Sequence, residues 1–334
     1  TAQQALAGPG LDEWAVLEAL SALVDKSLVQ VERSEPPRYR LLETTRRFAG
    51  MQLALHHETE PALQRHGQAM ASLADQIERA FWSMGDRPWL TRHAPDYDDL
   101  QAAFDRACQQ RDADIAARTG LALMRLDHLR SLNAPRRRRA EALHALLPDA
   151  SQHAQACIWT CIASHGLIAL DVVSRLEASG QAVAAWRRLG DRARLHFALG
   201  FHAAECARGG DFDAAERALA EVRTLEEPTW PPRQRAWTAA AHAGVAIHRG
   251  DAAGYRAACR DELSLAERGG AERTAAWARL KLADAALMAG DLEESIALGR
   301  IAVATLSQLD QPSNLGLALT NLCAAWILKG QDAP

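Results

Sequence analysis

A chain of 334 residues carrying 38 Lys and Arg against 42 Asp and Glu, a formal charge of -4, presents no broad basic surface for nucleic acid. That length exceeds one ordinary core, so one elongated solenoid or two domains are the natural architectures. The six cysteines (Cys108, Cys157, Cys161, Cys206, Cys259, Cys323) are too scattered for a disulfide scaffold and read as reduced thiols of a cytoplasmic protein, while no apolar run approaches the roughly 18 residues of a membrane span and no signal-peptide pattern opens the chain.

Thr1 to Leu6 reads as the inside of a helix without an initiating Met, which implies a fragment of something longer. From Asp12 to Lys26, Val16, Leu17, Leu20, Leu23 and Val24 form the stripe of an amphipathic helix. Ser27 to Glu32 then alternates apolar and polar residues, Ser34 to Pro37 is a turn, and Tyr39 to Leu42 resumes an extended pattern. Helix, strand, turn, strand is the ending of a winged helix. A further helix is expected from Glu43, with Thr44 and Thr45 supplying capping chemistry. Residues 1 to 60 hold six basic against nine acidic residues, so a DNA contact by this unit would begin with repulsion and is not expected.

From Pro61 to Leu147 helices continue, with breaks at Gly85 to Pro88 and Thr91 to Pro95. Arg136 to Arg139 is the one dense basic run. At about 100 degrees per residue these side chains spread around a helix, and a solvated helix end is favoured over a phosphate site. His153, Cys157, Cys161 and His165 recur every fourth residue, but the four span about 18 Å of helix axis, so one tetrahedral metal cannot take them all. Core packing is the favoured reading and no metal is expected. Ala150 to Asp191 is the least regular region, with room for a degenerate repeat.

The last part of the chain repeats itself. Gly210-Asp211, Gly250-Asp251, Gly290-Asp291 and Gly330-Gln331 sit 40 residues apart, and the same step maps Phe197 onto Trp237, Trp277 and Leu317. Each unit reads as helix, Gly-Asp turn, helix, with Asp211, Asp251 and Asp291 capping the next helix rather than acting in catalysis. Such pairs cannot bury their apolar faces alone and must stack into a superhelix with an exposed inner wall.

Two stretches carry a resemblance. Leu20-Ser-Ala-Leu-Val-Asp-Lys-Ser-Leu-Val29 with Arg38-Tyr-Arg-Leu-Leu-Glu-Thr-Thr-Arg-Arg-Phe-Ala49 resembles the winged-helix segment that follows the ATPase module of bacterial STAND regulators, the signal transduction ATPases with numerous domains. Trp89-Leu90 and Asp96-Tyr-Asp-Asp-Leu-Gln-Ala-Ala-Phe104 resemble the helix just downstream in those regulators, and the repeats resemble their tetratricopeptide-type sensor arms. The resemblance implies a mainly α fold: a partial winged-helix domain with a two-stranded wing over 1–58, a connecting helical region over 59–150 and a tetratricopeptide-like superhelix over 151–334. It also implies an upstream nucleotide-binding module in the same parent protein. In plant and animal relatives a Met-His-Asp motif lets the His touch the nucleotide phosphate. Leu41, Leu42 and Glu43 stand there in this sequence, and a leucine cannot make that hydrogen bond.

No phosphate loop, nucleophile elbow, zinc motif or dinucleotide turn can be read, so no catalytic residue and no cofactor are expected in this chain. Function then moves to the concave wall. With the turn glycines as register, Phe197, Trp237 and Trp277 occupy one repeated position, Arg208, His248 and Met288 another, and Lys281 and Asp284 complete a polar set. An aromatic ladder with nearby charge suits an effector protein or small ligand; alternatively the aromatics fill the gaps between repeats. The expected function is a non-catalytic sensor and coupling region of a STAND-type transcriptional regulator. A free-standing helical-repeat scaffold for protein assembly is the alternative.

Overall fold

The computed structural model describes residues 6, 12–32, 37–165, 172–309 and 312–330. Of the opening stretch only Leu6 is described before Asp12, and it is helical; residues 34–36 of the expected turn and Gln331 of the fourth repeat turn lie outside the described residues.

Helix α1 (Glu13–Asp25) starts where Asp12 accepts a hydrogen bond from the Ala15 amide at 2.8 Å. Strands β1 (Val29–Glu32) and β2 (Arg38–Leu41) pair antiparallel, Val29 opposite Leu41, as the two-stranded wing. Helix α2 (Glu43–Leu55) follows with no side-chain cap: Leu42 occupies the cap position, and Glu43 instead pairs with Arg46 and Arg47 on its own helix. The threonine capping expected there is therefore corrected. The Arg38 guanidinium ties the wing to the rest of the chain, donating to Asp96 Oδ1 at 2.5 Å and to the Pro95 carbonyl at 2.6 Å.

The remaining chain is helical. Helix α3 (Thr59–Ser83) and the short α4 (Asp86–His93) meet at Met84-Gly85, so Thr91 to His93 continue a helix where a break was expected. A single 3-10 turn, Ala94–Asp96, leads to α5 (Tyr97–Gln110) and α6 (Ala113–Leu129). Helices α7 (Asn133–His144) and α8 (Gln152–His165) come next. Then α9 (Val172–Leu189), α10 (Arg192–Arg208), α11 (Phe212–Leu225), α12 (Pro232–Arg249), α13 (Ala252–Arg268), α14 (Glu272–Met288), α15 (Leu292–Gln308) and α16 (Pro312–Leu328) stack as a helical-repeat superhelix. No described helix is long and apolar enough to cross a membrane.

The repeat turns work as their sequence requires. Gly210, Gly250, Gly290 and Gly330 have φ of 86, 77, 79 and 71 degrees, a left-handed conformation that a Cβ would strain. Asp211, Asp251 and Asp291 accept from the amides of Ala214, Gly254 and Glu294 at 2.8 to 3.0 Å, each capping the following helix. Asp191 does the same for Arg194, and α8 packs against α9. One continuous apolar core runs from Met70 to Val245, passing residue 150 without a gap. Cys157 and Cys161 lie inside it, where burial pushes the Cys157 thiol up to about 12 and Cys161 well above its ordinary value.

The four-arginine run corrects its expectation. Arg137 and Arg138 face solvent, but Arg136 and Arg139 are buried. Arg139 bonds to the fully buried Asp127 and, at 2.7 Å, to the Tyr97 hydroxyl, which itself donates to Asp127 at 2.9 Å.

The superhelix coils tightly enough for its start to touch its third repeat. The Asp86 amide donates to the Gly270 carbonyl at 2.9 Å, and the Arg273 amide donates to Asp86 Oδ2 at 2.8 Å. A Cβ on Gly85 would sit 3.0 Å from the Gly270 oxygen, so this crossing depends on bare backbone at both glycines. Arg233 of α12 completes the clasp, donating to the Phe81 and Met84 carbonyls at 2.9 Å and pairing with Asp86.

His196 of α10 gives the fold a pH dependence. Its ring is fully buried, bonded through Nε2 to Thr238 Oγ1 at 2.8 Å and edge-on to Trp230. Burial pushes its pKa down to about 4. The unfolded chain therefore binds a proton that the folded chain refuses, so the contribution is complete above about pH 6.5 and is lost as pH falls towards 4. Denaturant titrations from about pH 7 to about pH 5 are expected to show wild type losing on the order of 2 kcal/mol more than His196→Asn. Equal losses in the two proteins would rule out this histidine as the source.

Candidate functional site

The stacked helices enclose a groove of about 1420 Å³ whose walls come from α6 to α10, α12 to α14 and α16. Six of the expected residues line it: Arg208, Trp237, His248, Trp277, Lys281 and Asp284. Both tryptophans are half-buried, with Trp277 packed against Leu280 and its neighbours and the Trp237 indole donating to the Phe197 carbonyl at 3.1 Å. Phe197 and Met288 stand outside it. Phe197 is covered by the N-terminal helices, Trp82 of α3 lying edge-on at 5.3 Å, so the repeated position that is open in later units is closed in this one. Met288 is the last residue of α14 and is exposed beyond the groove edge.

Charge in the groove is mostly matched. Lys281 pairs with Glu262, whose carboxyl burial pushes upward, and Glu205 lies 3.4 Å from Arg175 and 3.5 Å from Arg208. Asn321 donates to Asp284 at 3.4 Å, with burial raising the Asp284 carboxyl. Partial burial, then the nearby Arg208, lowers His248. These charged groups are held in pairs along the groove wall. Among the described residues no cluster of three His, Cys, Asp or Glu is placed to hold a metal ion.

Behind Trp237 the groove continues into an inner chamber of about 120 Å³. Phe81, Trp82, Phe197, Phe201 and Trp237 form its walls, with Phe201 and Trp237 shared with the groove. Arginines fill the spaces between rings. The Arg125 guanidinium carbon lies 4.6 Å from the Phe81 ring and 4.5 Å from Phe197 while pairing with Glu78 at 3.2 Å, and Arg233 lies 3.9 Å over Phe81. Arg273 of α14 bonds to His128 of α6, with 3.1 Å to Nδ1, and burial, then that cation, holds His128 well below its ordinary pKa.

This chamber is not legible in the sequence. Phe81-Trp82 beside the ladder position of Phe197 and Trp237 was the available signal, but their meeting is set by the pitch of the superhelix, which no local pattern encodes.

No family model matches the chain. It is similar to provisionally named HTH-type transcriptional regulators of Mycobacterium bovis and of two strains of Mycobacterium tuberculosis, each 29% identical over 309 residues, covering 88% of this chain and 34% of the relative. The chain thus spans about a third of the length of these curated relatives. Among solved structures it is similar to a Signal Transduction ATPase with Numerous Domains with a tetratricopeptide repeat sensor from Pyrococcus horikoshii, with a TM-score of 0.50 and 12% identity over 92% of this chain and 48% of that one. At that identity the likeness is one of fold.

Proposed function

We propose that this chain is the sensing and coupling region of a STAND-type transcriptional regulator, non-catalytic in itself, whose groove binds an effector protein or small ligand. The observation that carries this reading is the groove: half-buried Trp237 and Trp277 beside paired charges, in a superhelix similar over most of its length to regulators. Aromatic rings supply contact area there, and the pre-paired charges fix orientation.

The winged-helix unit is the coupling element in this proposal, resting against a nucleotide-binding module of the same parent protein. It has little core of its own: α2 has no buried residue, and Trp14, Phe48, Met51 and Leu55 are 62 to 76% exposed. Large exposed apolar side chains gathered on one small unit fit a protein interface. A bonded path leads inward from it, from Arg38 through Asp96 to Tyr97, then Asp127 and Arg139 of α7, the helix that also offers Arg136 and Arg137 to the groove. DNA contact by this unit is not proposed, since Arg38, Arg40, Arg46 and Arg47 are all engaged by Asp96, Glu32 and Glu43.

The test is affinity capture from extract of the source cells, followed by mass spectrometry of retained proteins and small molecules. Arg208→Ala with His248→Ala, both exposed in the groove, is expected to lower specifically retained material roughly tenfold, a change of about 1.4 kcal/mol. An unchanged profile would remove the groove from the function.

A further inference from the structure

Five arginines are buried among the described residues: Arg125, Arg136, Arg139, Arg175 and Arg233. Four of them face a carboxylate, respectively Glu78, Asp127, Glu205 and Asp86. Arg136 has none. Its guanidinium, on a residue 7% exposed, donates to Asn133 Oδ1 at 3.4 Å and to the Ser164 carbonyl at 3.1 Å, while its Nε–H has no acceptor. A buried cation matched only by neutral oxygens is an unfinished ion pair.

Its position says what would finish it. Arg136 lines both the groove and the inner chamber, so a ligand entering from the groove reaches it. Arg125, Arg233 and Glu262 face the same chamber but are committed to Glu78, Asp86 and Lys281, so Arg136 is the charge there without a counter-ion among the described residues. Burial, then the nearby Arg125, brings Arg136 down to about 10, which leaves it charged at neutral pH. A cation would be repelled here, and a neutral ligand would leave the charge unmatched. Rings on several sides favour an anion with a flat or apolar body over a hydrated inorganic ion.

We infer that the inner chamber receives the carboxylate of a small organic acid, with Arg136 taking the negative charge and Phe201 and Trp237 holding the acid's flat or apolar body. The inference deepens the groove reading and rests on it, naming the chemistry of the group that the groove admits to its deepest point.

Calorimetric titration of the full chain with phenylacetate and its uncharged analogue phenylacetamide tests it. The acid is expected to bind at least roughly tenfold more tightly than the amide. Arg136→Gln should abolish that preference and Arg136→Lys retain part of it, with circular dichroism confirming that both variants are folded. Equal binding of acid and amide, an acid preference surviving Arg136→Gln, no heat with millimolar phenylacetate, or complete displacement of it by equimolar chloride would each overturn the assignment. If acid and amide prove equal while Arg208→Ala with His248→Ala still loses its retained partner, the groove reading stands alone. An acid preference that survives Arg136→Gln, together with an unchanged capture profile for Arg208→Ala with His248→Ala, sinks both.

Discussion

Arg233→Met is expected to destabilise the protein by about 3–5 kcal/mol, the range seen when one partner of a buried ion pair is removed. The substitution keeps most of the side-chain volume, so the loss isolates charge and hydrogen bonding. Three contacts end together: the Phe81 and Met84 carbonyls lose their donor, and Asp86, only 2% exposed, loses its directly paired cation and keeps the Arg273 amide. These contacts join α3 and α4 to α12, across about 150 positions of sequence. The first half of the chain is then expected to open from the repeats before the repeats themselves unfold, exposing the Met84-Gly85 joint to protease. Arg233→Met combined with Asp86→Leu should recover much of the loss, because replacing a whole buried pair by apolar groups is far less damaging than orphaning one charge. Urea denaturation of wild type and the two variants checks both statements. A single-variant loss below about 1 kcal/mol would show that the clasp is held by the glycine crossing alone.

The same contrast separates what could be read in the sequence from what could not. Turns are local, so Gly210-Asp211 and its three equivalents mark the repeat before any coordinate is known; Gly190 and Gly270, also left-handed, mark the joints between units in the same way. The wing is legible for the same reason, its alternation lying within Leu28 to Leu42. The clasp depends on superhelical pitch, and nothing near Asp86 announces Arg233 or Gly270. Arg136 to Arg139 is an intermediate case. Arg136, Arg139, Ala140 and Leu143 are spaced as one helical stripe and are all buried, so the run could have been divided into two inward and two outward side chains. The partner of Arg139, Asp127, lies on the preceding helix. What the spacing could not supply is the missing partner of Arg136, which is a property of several helices meeting rather than of one. The groove residues fall between these cases: register alone brings Arg208, His248 and Trp277 to one wall, while Phe197 is covered by a helix from far outside the repeat.

Whether the aromatic ladder is wall or filling is decided at Gly200. A Cβ built there would lie 2.4 Å from Trp237 Nε1 and 3.2 Å from two further ring atoms, so the indole occupies the space of the absent methyl. The 40-residue step takes Gly200 to Ala240 and Leu280, which makes this recess particular to one repeat. Trp237 is held in it by Phe197 at 4.7 Å, by Phe201 at 4.6 Å and by the bond to the Phe197 carbonyl, while still bordering the groove. It serves as filling and wall at once. Gly200→Ala is therefore expected to cost about 1–3 kcal/mol by overpacking, despite replacing a helical glycine with the best helix former. Trp237→Ala should cost about 2–4 kcal/mol, somewhat less than truncation of a fully enclosed tryptophan because this residue is only partly buried. The double variant decides the matter. If the methyl and the indole compete for one space, Gly200→Ala becomes neutral or stabilising once Trp237 is Ala, giving a coupling of at least about 1 kcal/mol in the denaturation cycle. Additive losses would mean that the ring stands clear of Gly200, out in the groove, where its removal should cost binding rather than stability.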